Sequence, residues 1–230
     1  MKKQLFITTS LILASMIIWG QEISKSNTNR FFVAASAGPS FPVGVFGSTN
    51  TDPSKDAGLA QIGYNINLHS GYNITSNFGI ASTIMYSRFT LDKNAVNHFL
   101  NGSSPSFNAT ADHWQYWGIH LGPMATVNLT DKVLLDFKIL GGFARANMPV
   151  IRYKIEGIDV VSTPDKWADA FTWQLGSNLR YNFSDMAFLL ANVDYNFMKP
   201  NWKFSIASED VSVTQKMGAL DVNVGVGLNF

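Results

Sequence analysis

The carboxyl-terminal segment from Gly218 to Phe230 constrains the fold more than any other part of the chain. Every second residue in this segment is apolar, while the residues between them are polar or small. Successive side chains of a β-strand point to opposite faces, so the alternation predicts a strand with one aliphatic face and one polar face. The apolar positions are Leu220, Val222, Val224, Val226, Leu228 and Phe230, and the intervening ones are Ala219, Asp221, Asn223, Gly225, Gly227 and Asn229. A tilted strand crosses a bilayer with about 9–11 residues, so the segment is long enough to do so.

The composition excludes several classes of protein. Only 14% of the 230 residues are charged, against about 25% in an average soluble domain. The mean hydropathy of +0.04 excludes a chain built mainly of transmembrane helices. The formal net charge of +1 excludes the basic surface of a nucleic-acid-binding protein. Because the chain has no cysteine, disulfides, thiolate metal sites and lipid attachment at an amino-terminal cysteine are excluded as well.

The amino terminus has the three parts of a secretory signal peptide. Lys2 and Lys3 are basic, the segment from Leu5 to Trp19 is largely apolar, and Gly20 is a small residue suited to cleavage. We predict that residues 1–20 are removed as a signal peptide and that residues 21–230 form a single barrel domain. The alternative is a retained membrane helix, but the apolar segment is shorter than the ~20 residues that a spanning helix needs.

A short motif recurs at nearly equal intervals along the chain. Its three copies are Asn73-Ile74-Thr75-Ser76, Asn128-Leu129-Thr130-Asp131 and Asn182-Phe183-Ser184-Asp185. The first residues of successive copies are 55 and 54 positions apart. Asn and Asp favour tight turns because their side chains bond the local backbone, so we predict a tight turn at each copy. The motif also matches a glycosylation acceptor, but the tight turn is the preferred interpretation.

These turns divide the chain into four similar units, each with two strands joined by a long polar segment. The arrangement predicts an all-β, eight-stranded antiparallel up-and-down transmembrane β-barrel with three tight turns at one end and four long loops at the other. The predicted loops, expected to be extracellular, cover about residues 44–57, 92–112, 146–169 and 199–216. Within the third loop, Val150 to Val161 has the pattern of a short hairpin that is too charged to span a bilayer. Because the number of strands is even, both termini are expected on the periplasmic side.

Alternation alone does not decide which face of each strand points outward, since a soluble secreted ligand-binding barrel alternates with its apolar face inside. Charges on the polar faces favour an apolar exterior, because Lys or Arg at the bilayer midplane costs about 2–4 kcal/mol. Aromatic residues near strand ends are typical of membrane interfaces. They are Tyr72, Phe78, Trp114, Tyr181, Phe183, Phe197 and Phe230, and the second strand is expected to present Ala60 on the same outer face. We predict a structural polar network in the lumen, with at least some members in ion pairs. It comprises Asp136, Lys138, Arg180, Asp194 and Asp221.

The sequence contains few motifs that indicate catalysis or metal binding. It contains no glycine-rich phosphate loop, no His-Glu-x-x-His motif and no Gly-x-Ser-x-Gly motif. The four histidines, His69, His98, His113 and His120, are not spaced as metal ligands. We therefore predict no catalytic residues, no metal site and no cofactor. The alternative is a lipid-modifying enzyme that uses His113 with a loop serine or His98 with Ser103, although no motif supports it.

The terminal strand, which ends on Phe230, resembles the last strand of bacterial outer-membrane β-barrels. The segments Ala37-Gly38-Pro39-Ser40-Phe41-Pro42 and Leu121-Gly122-Pro123 also look like the outer-membrane β-barrel domain family. The resemblance covers the chain from about Gln21 to Phe230. It implies a protein of the cell outer membrane, in contact with membrane lipid and lipopolysaccharide. It also implies that the barrel assembly machinery reads Phe230 as an assembly signal during insertion, and it supplies no catalytic residues.

The long loops exceed what hairpin closure needs, so they are the predicted interaction surface for an unidentified protein partner. The candidate loop contacts are the aromatic residues Phe99, Phe107, Trp167 and Trp202. The predicted function is a non-enzymatic structural or interaction role through these loops. A narrow pore is a further alternative, although eight strands leave little open lumen.

Overall fold

The computed structural model describes residues 30–49, 57–92, 94–97, 109–155, 158–161, 166–206 and 209–230. The predicted signal peptide lies outside these residues, as do His98, Phe99, Ser103 and Phe107. No helix within the described ranges is long and apolar enough to cross a membrane.

Eight long strands form a single closed barrel. They are β1 (Phe31–Val43), β2 (Gly63–Asn73), β3 (Phe78–Phe89), β4 (Trp114–Asn128), β5 (Val133–Met148), β6 (Lys166–Asn182), β7 (Ala187–Met198) and β8 (Met217–Asn229). Each barrel strand pairs antiparallel with the barrel strands before and after it, and β1 pairs with β8 to close the ring. Closure leaves the barrel without an unpaired edge strand. The predicted all-β, eight-stranded antiparallel up-and-down barrel is confirmed.

Three four-residue turns join β2 to β3, β4 to β5 and β6 to β7, where the repeated motif predicts them. In each turn a Ser or Thr hydroxyl accepts a hydrogen bond from the backbone N–H three residues later. These bonds run from Phe78 to Thr75, from Val133 to Thr130 and from Ala187 to Ser184, each at 3.0 Å. The hydroxyl groups thus take a role that the sequence pattern assigns to Asn and Asp.

The opposite end of the barrel carries longer connections that have structure of their own. Residues 94–97 form one helical turn. Three short strands, Ala109–Ala111, Ile151–Ile155 and Ile158–Val161, form a small antiparallel sheet, and Asn201–Ile206 pairs with Glu209–Thr214 in a hairpin. The hairpin predicted within residues 150–161 is therefore present. β5 and β6 are longer than predicted, since both extend into residues 146–169, where the sequence predicts a loop.

The two faces of the barrel wall differ in polarity. Along β8, Val224 is 71% exposed and Val226 is 60% exposed, whereas Asp221 is fully buried. Large apolar side chains face outward from the other strands in the same way, including Ile66, Ile80, Ile119, Phe137, Phe171 and Leu189. The apolar stripes therefore point outward, and the polar stripes line the lumen.

Three predicted positions are wrong. Trp114, expected at a membrane interface, is buried, and its indole Nε1 donates to the Gly58 carbonyl oxygen at 2.8 Å. Trp202, expected as an exposed loop contact, is only 1% exposed. Ala60, expected on the outer face, is buried and bridges to Leu91 before β2 begins. In each case the loop backbone folds over the barrel mouth and buries a side chain that was expected to be exposed.

Candidate functional site

Side chains fill the barrel interior in three layers. A lower apolar layer lies near the tight turns, a polar layer occupies the middle, and an upper apolar layer lies beneath the long loops. The lower layer contains Phe32, Ala34, Ala81, Met124, Phe188 and Leu190, and it continues upward to Leu140, which follows Lys138 on β5. The upper layer includes Phe46, Met85, Phe89, Leu91, Trp114, Tyr116, Met148 and Trp202. The polar layer is the candidate site, because buried charged side chains are the unusual feature of any protein interior.

Two aromatic rings close the lower layer. Phe32 on β1 and Phe188 on β7 meet edge to face, with ring centroids 6.0 Å apart. Each ring lies over a glycine of a neighbouring strand, Gly71 on β2 and Gly227 on β8, where an added methyl group would collide with it. The Arg180 guanidinium lies 4.2 Å from the centroid of the Phe32 ring, within cation–π distance. The lower layer is therefore attached directly to the charged layer above it.

The first ion pair joins the neighbouring strands β5 and β6. Nε and Nη2 of Arg180 each lie 2.8 Å from an oxygen of the Asp136 carboxylate. The Thr126 hydroxyl on β4 donates to the same carboxylate at 2.8 Å. Both charged side chains are almost completely buried. A two-point contact between Arg and a carboxylate fixes the orientation of both groups. The ion pair joins β5 to β6, and the Thr126 hydroxyl connects β4 to the same carboxylate.

The second ion pair reaches across a strand. Lys138 Nζ on β5 lies 2.9 Å from Oδ1 of Asp194 on β7, and β6 lies between them. Gly176 on β6 provides the space, because a Cβ there would lie 2.6 Å from Lys138 Cε and would also collide with the Asp194 carboxylate. Asn192 donates a further hydrogen bond to Asp194 at 2.7 Å. Since the pair is fully buried, loss of one partner would leave the other charge uncompensated.

Asp221 has a different environment from the other two carboxylates. It accepts hydrogen bonds from the Ser40 hydroxyl and from Asn196 Nδ2, the latter at 2.7 Å. Within the described part of the chain, salt bridges include Asp136 and Asp194 but not Asp221. All five residues of the predicted network thus lie in the lumen. Four of them form two ion pairs, while the fifth is surrounded by neutral hydrogen-bond donors.

Two histidines also belong to the polar layer. His69 Nε2 lies 2.9 Å from the Ser36 hydroxyl, and its Nδ1 lies 3.4 Å from Lys138 Nζ. His120 Nε2 lies 3.2 Å from the Thr172 hydroxyl. Sequence reasoning did not assign either ring to the network. The available signal was their alternation with exposed apolar neighbours, which places both on inward faces.

The upper layer closes the loop end with rings from strands and loops together. Phe46 from the first loop packs against Phe89 and Trp114, with ring centroids 5.2 Å and 5.7 Å away. Trp202 from the last hairpin lies 5.9 Å from Trp114, and Tyr116 stacks on Phe89 at 5.8 Å. This aromatic cluster separates the polar layer from the exterior.

The polar layer does not have the geometry of a hydrolytic site. Ser36 and His69 are within hydrogen-bond distance, as a nucleophile and its base would be. The other ring nitrogen of His69, however, faces Lys138 and Thr83 instead of an orienting carboxylate. Among the described residues there is no group of three His, Cys, Asp or Glu side chains that could hold a metal ion.

Phe230 lies outside the lumen at the turn end. Its side chain is 59% exposed, and its ring centroid is 5.9 Å from that of Phe31. Its backbone N–H donates to the Phe31 carbonyl at 2.7 Å, and its own carbonyl accepts from the Phe31 N–H at 3.2 Å. The terminal residue is thus joined to the first strand, at the seam that closes the barrel.

No protein-family model and no curated protein matches the sequence. Solved structures with a similar fold include a major outer membrane protein from Thermus thermophilus, with a TM-score of 0.48 and 11% identity over 87% of this chain and 98% of that one. Ail, the attachment invasion locus protein of Yersinia pestis, has a TM-score of 0.45 and 13% identity over 88% of this chain and 99% of that one. Neisserial surface protein A has a TM-score of 0.45 and 15% identity over 87% and 97% of the two chains. These similarities are too distant to indicate a function.

Proposed function

We propose that this protein is an integral β-barrel of the bacterial cell outer membrane, with a structural or interaction role and no enzymatic one. The observation that carries the proposal is the polarity of the barrel, which has apolar side chains outside and ion pairs inside. In water this arrangement would expose a broad apolar surface and bury charges, and both are unfavourable. In a bilayer the same surface contacts acyl chains, and closure of the barrel satisfies the backbone hydrogen bonds.

The turn end of the barrel supports this placement. Aromatic side chains collect at membrane interfaces, and several lie on the outer face near the tight turns. They are Phe31, Tyr72, Phe78, Tyr181, Phe183 and Phe230, which are between 40% and 59% exposed. In the proposed orientation this end and both chain termini face the periplasm, and the four loops face the exterior.

A closed lumen fits a structural role better than a pore. The contact between Phe32 and Phe188 obstructs the turn end, and the cluster of Phe46, Trp114 and Trp202 obstructs the loop end. An ion would have to leave water and cross two apolar layers, at a high cost in solvation free energy. We therefore expect no steady conductance through the folded barrel.

A lipid-modifying activity has less support. The candidate base His113 lies at the loop end, where its Nδ1 is 3.1 Å from Arg88 Nη2. Because a guanidinium can only donate, Nδ1 accepts this hydrogen bond and is therefore engaged with Arg88 instead of a serine hydroxyl. The rival pair of His98 and Ser103 lies outside the described residues.

The proposed partners follow from the surfaces of the barrel. Membrane lipid and lipopolysaccharide would surround the apolar wall, and the barrel assembly machinery would recognise the terminal strand through Phe230. An unidentified protein partner would contact the loop end, where Val211 and Val213 of the last hairpin are 42% and 38% exposed. Trp167 remains a candidate for this surface because it is only partly buried.

Cell fractionation combined with gel electrophoresis tests the proposal. The protein is expected in the outer-membrane fraction, should require detergent for extraction, and should migrate faster unheated than after boiling because the barrel stays folded. Release of the protein by a detergent-free wash would contradict membrane integration. Recordings in planar bilayers test the closed lumen separately, and a steady single-channel current would overturn that part of the proposal.

A further inference from the structure

Two of the eight ladders that join the barrel strands are interrupted. Between β1 and β8 the pairing omits Gly38 and Pro39, and between β4 and β5 it omits Gly122 and Pro123. All four residues keep their pairs with the strand on their other side. The other six ladders run without a gap. A Gly-Pro step therefore marks each of two seams in the wall.

The two gaps have the same local structure. A Cβ at Gly38 would collide with the Val222 carbonyl oxygen, and a Cβ at Gly122 would collide with the Ile139 carbonyl oxygen. In each seam this carbonyl belongs to the residue opposite the proline, which has no N–H to donate. Pro42 on β1 is not preceded by glycine, and its pair with β8 is kept. Glycine and proline together thus accompany each interruption.

The two seams lie on opposite sides of the ring and divide it into two sectors of four strands. We call β1–β4 the first sector and β5–β8 the second sector. The charged residues of the lumen network all lie in the second sector, namely Asp136, Lys138, Arg180, Asp194 and Asp221. The buried polar residues described on the strands of the first sector are serine, threonine, asparagine and histidine. The two sectors therefore differ in chemistry as well as in connectivity.

The ion pairs hold the second sector together and do not cross either seam. Asp136 and Arg180 join β5 to β6, while Lys138 and Asp194 join β5 to β7. The side-chain bonds described across the seams come from hydroxyl groups of the first sector.

Each seam has one such hydroxyl bond beside its gap. The Ser40 hydroxyl donates to Asp221 across the β1–β8 seam, and the Thr126 hydroxyl donates to Asp136 at 2.8 Å across the β4–β5 seam. In both cases the donor and the carboxylate occupy paired positions of the two strands. The two seams thus repeat the same arrangement of a Gly-Pro gap and a hydroxyl–carboxylate bond.

The sectors also meet inside the lumen. His69 Nδ1 lies 3.4 Å from Lys138 Nζ, and His120 Nε2 lies 3.2 Å from the Thr172 hydroxyl. The Arg180–Phe32 contact lies in the lower layer, nearer the turn end than either gap. Among the described residues, no salt bridge joins the two sectors. Separating the strands at a gap would therefore break hydrogen bonds but no ion pair.

We propose that the barrel wall opens locally along these two seams, around the Gly-Pro steps, while each four-stranded sector stays intact. A seam with an interrupted ladder has fewer hydrogen bonds to break than a continuous one, so it opens at a lower cost in free energy. Because aromatic contacts close both ends of the lumen, opening of a seam gives the polar layer its route of exchange with the surroundings.

Hydrogen–deuterium exchange of the folded full-length chain in detergent micelles, resolved for single amides by NMR, tests the proposal. The amides to compare are those that bond across the seams beside the gaps and those that bond between β6 and β7. The β6–β7 ladder is a suitable reference because Asn192 and Val193 of β7 pair with Asn223 and Val222 at the first gap. Exchange beside the gaps should be about threefold to tenfold faster, since the cost of opening is lower by about one ladder bond.

A reversible cross-link assigns the opening to the seam. The chain has no cysteine, so two introduced cysteines form one defined disulfide. Ala37→Cys with Val224→Cys spans the β1–β8 seam, whereas Ala191→Cys with Val224→Cys stays within the second sector. Both alanines pair directly with Val224 and lie on the exposed outer wall. Directly opposite residues of antiparallel strands have Cα atoms about 4.5–5.5 Å apart, which suits a disulfide.

The oxidised and reduced forms of each cross-linked variant are then compared. Oxidation of the pair at positions 37 and 224 should slow exchange beside the first gap to the rate of the continuous ladder. Oxidation of the pair at positions 191 and 224 should leave that exchange fast. Equal slowing by both disulfides would overturn the proposal, as would equal exchange beside the gaps and between β6 and β7 in the unmodified chain. If a cross-linked variant does not fold, the comparison within the unmodified chain decides.

Discussion

The turn half and the loop half of the barrel are filled by different means. In the turn half, strand side chains fill the lumen, as the Arg180–Asp136 pair and the Phe32 ring illustrate. In the loop half, Phe46 and Trp202 come from connecting segments that fold back into the barrel mouth. Strand residues are held by the closed hydrogen-bonded wall of the barrel, whereas Phe46 and Trp202 are held by hydrogen bonds within the loop end and by packing in the barrel mouth. The turn half should therefore determine the stability of the barrel, and the loop half should determine access to its interior.

The largest expected effect is that of Arg180→Leu in the turn half. The change leaves the Asp136 carboxylate buried without its partner, which costs about 3–5 kcal/mol in comparable buried pairs. The free energy of unfolding, measured in urea with the barrel folded in lipid vesicles, should fall by that amount. Replacement of both residues by leucine should restore much of the loss, because no buried charge then remains.

Arg145→Leu is the matched control for this change. Arg145 lies 3.4 Å from Asp169, but the two side chains are 52% and 74% exposed. Exposed ion pairs contribute about 0–1 kcal/mol, so the control should unfold nearly as the unmodified protein does. Similar losses for Arg180→Leu and Arg145→Leu would contradict a stabilising role for the lumen network.

A smaller effect on barrel stability is expected for Trp202→Ala in the loop half. A rigid core loses about 3–5 kcal/mol on such a truncation, but the hairpin of residues 201–214 can relax around the gap. We expect a smaller loss, together with faster protease cleavage within this hairpin, because local opening becomes easier. Trp202→Phe keeps a ring in the cluster and should resist cleavage better. A loss of unfolding free energy as large as that of Arg180→Leu would show that the loops also contribute to the stability of the barrel.

The same division explains how far the sequence could predict the structure. Side chains alternate with a period of two, so the inward faces of Asp136 and Arg180 follow from local sequence. The contact between Lys138 and Asp194 does not, since it depends on the register of three strands and on the space left by Gly176. The burial of Trp202 depends on tertiary packing of a loop, for which the sequence has no periodic signal.

The smallest expected effect concerns the turns themselves. Thr130→Ala removes the hydroxyl that accepts the Val133 N–H at 3.0 Å, and the turn is exposed, so water replaces part of the bond. We expect a loss of about 0.5–1.5 kcal/mol in the free energy of unfolding. Asn128→Ala tests the residue that the repeated motif shares at its first position, and it should cost less, because in this structure the hydroxyl closes the turn. A greater loss of unfolding free energy in Asn128→Ala than in Thr130→Ala would show that the asparagine, and not the hydroxyl, stabilises the turn. In that case the tight turns of the turn half would depend on the backbone preference of asparagine more than on side-chain hydrogen bonds such as that of Thr130.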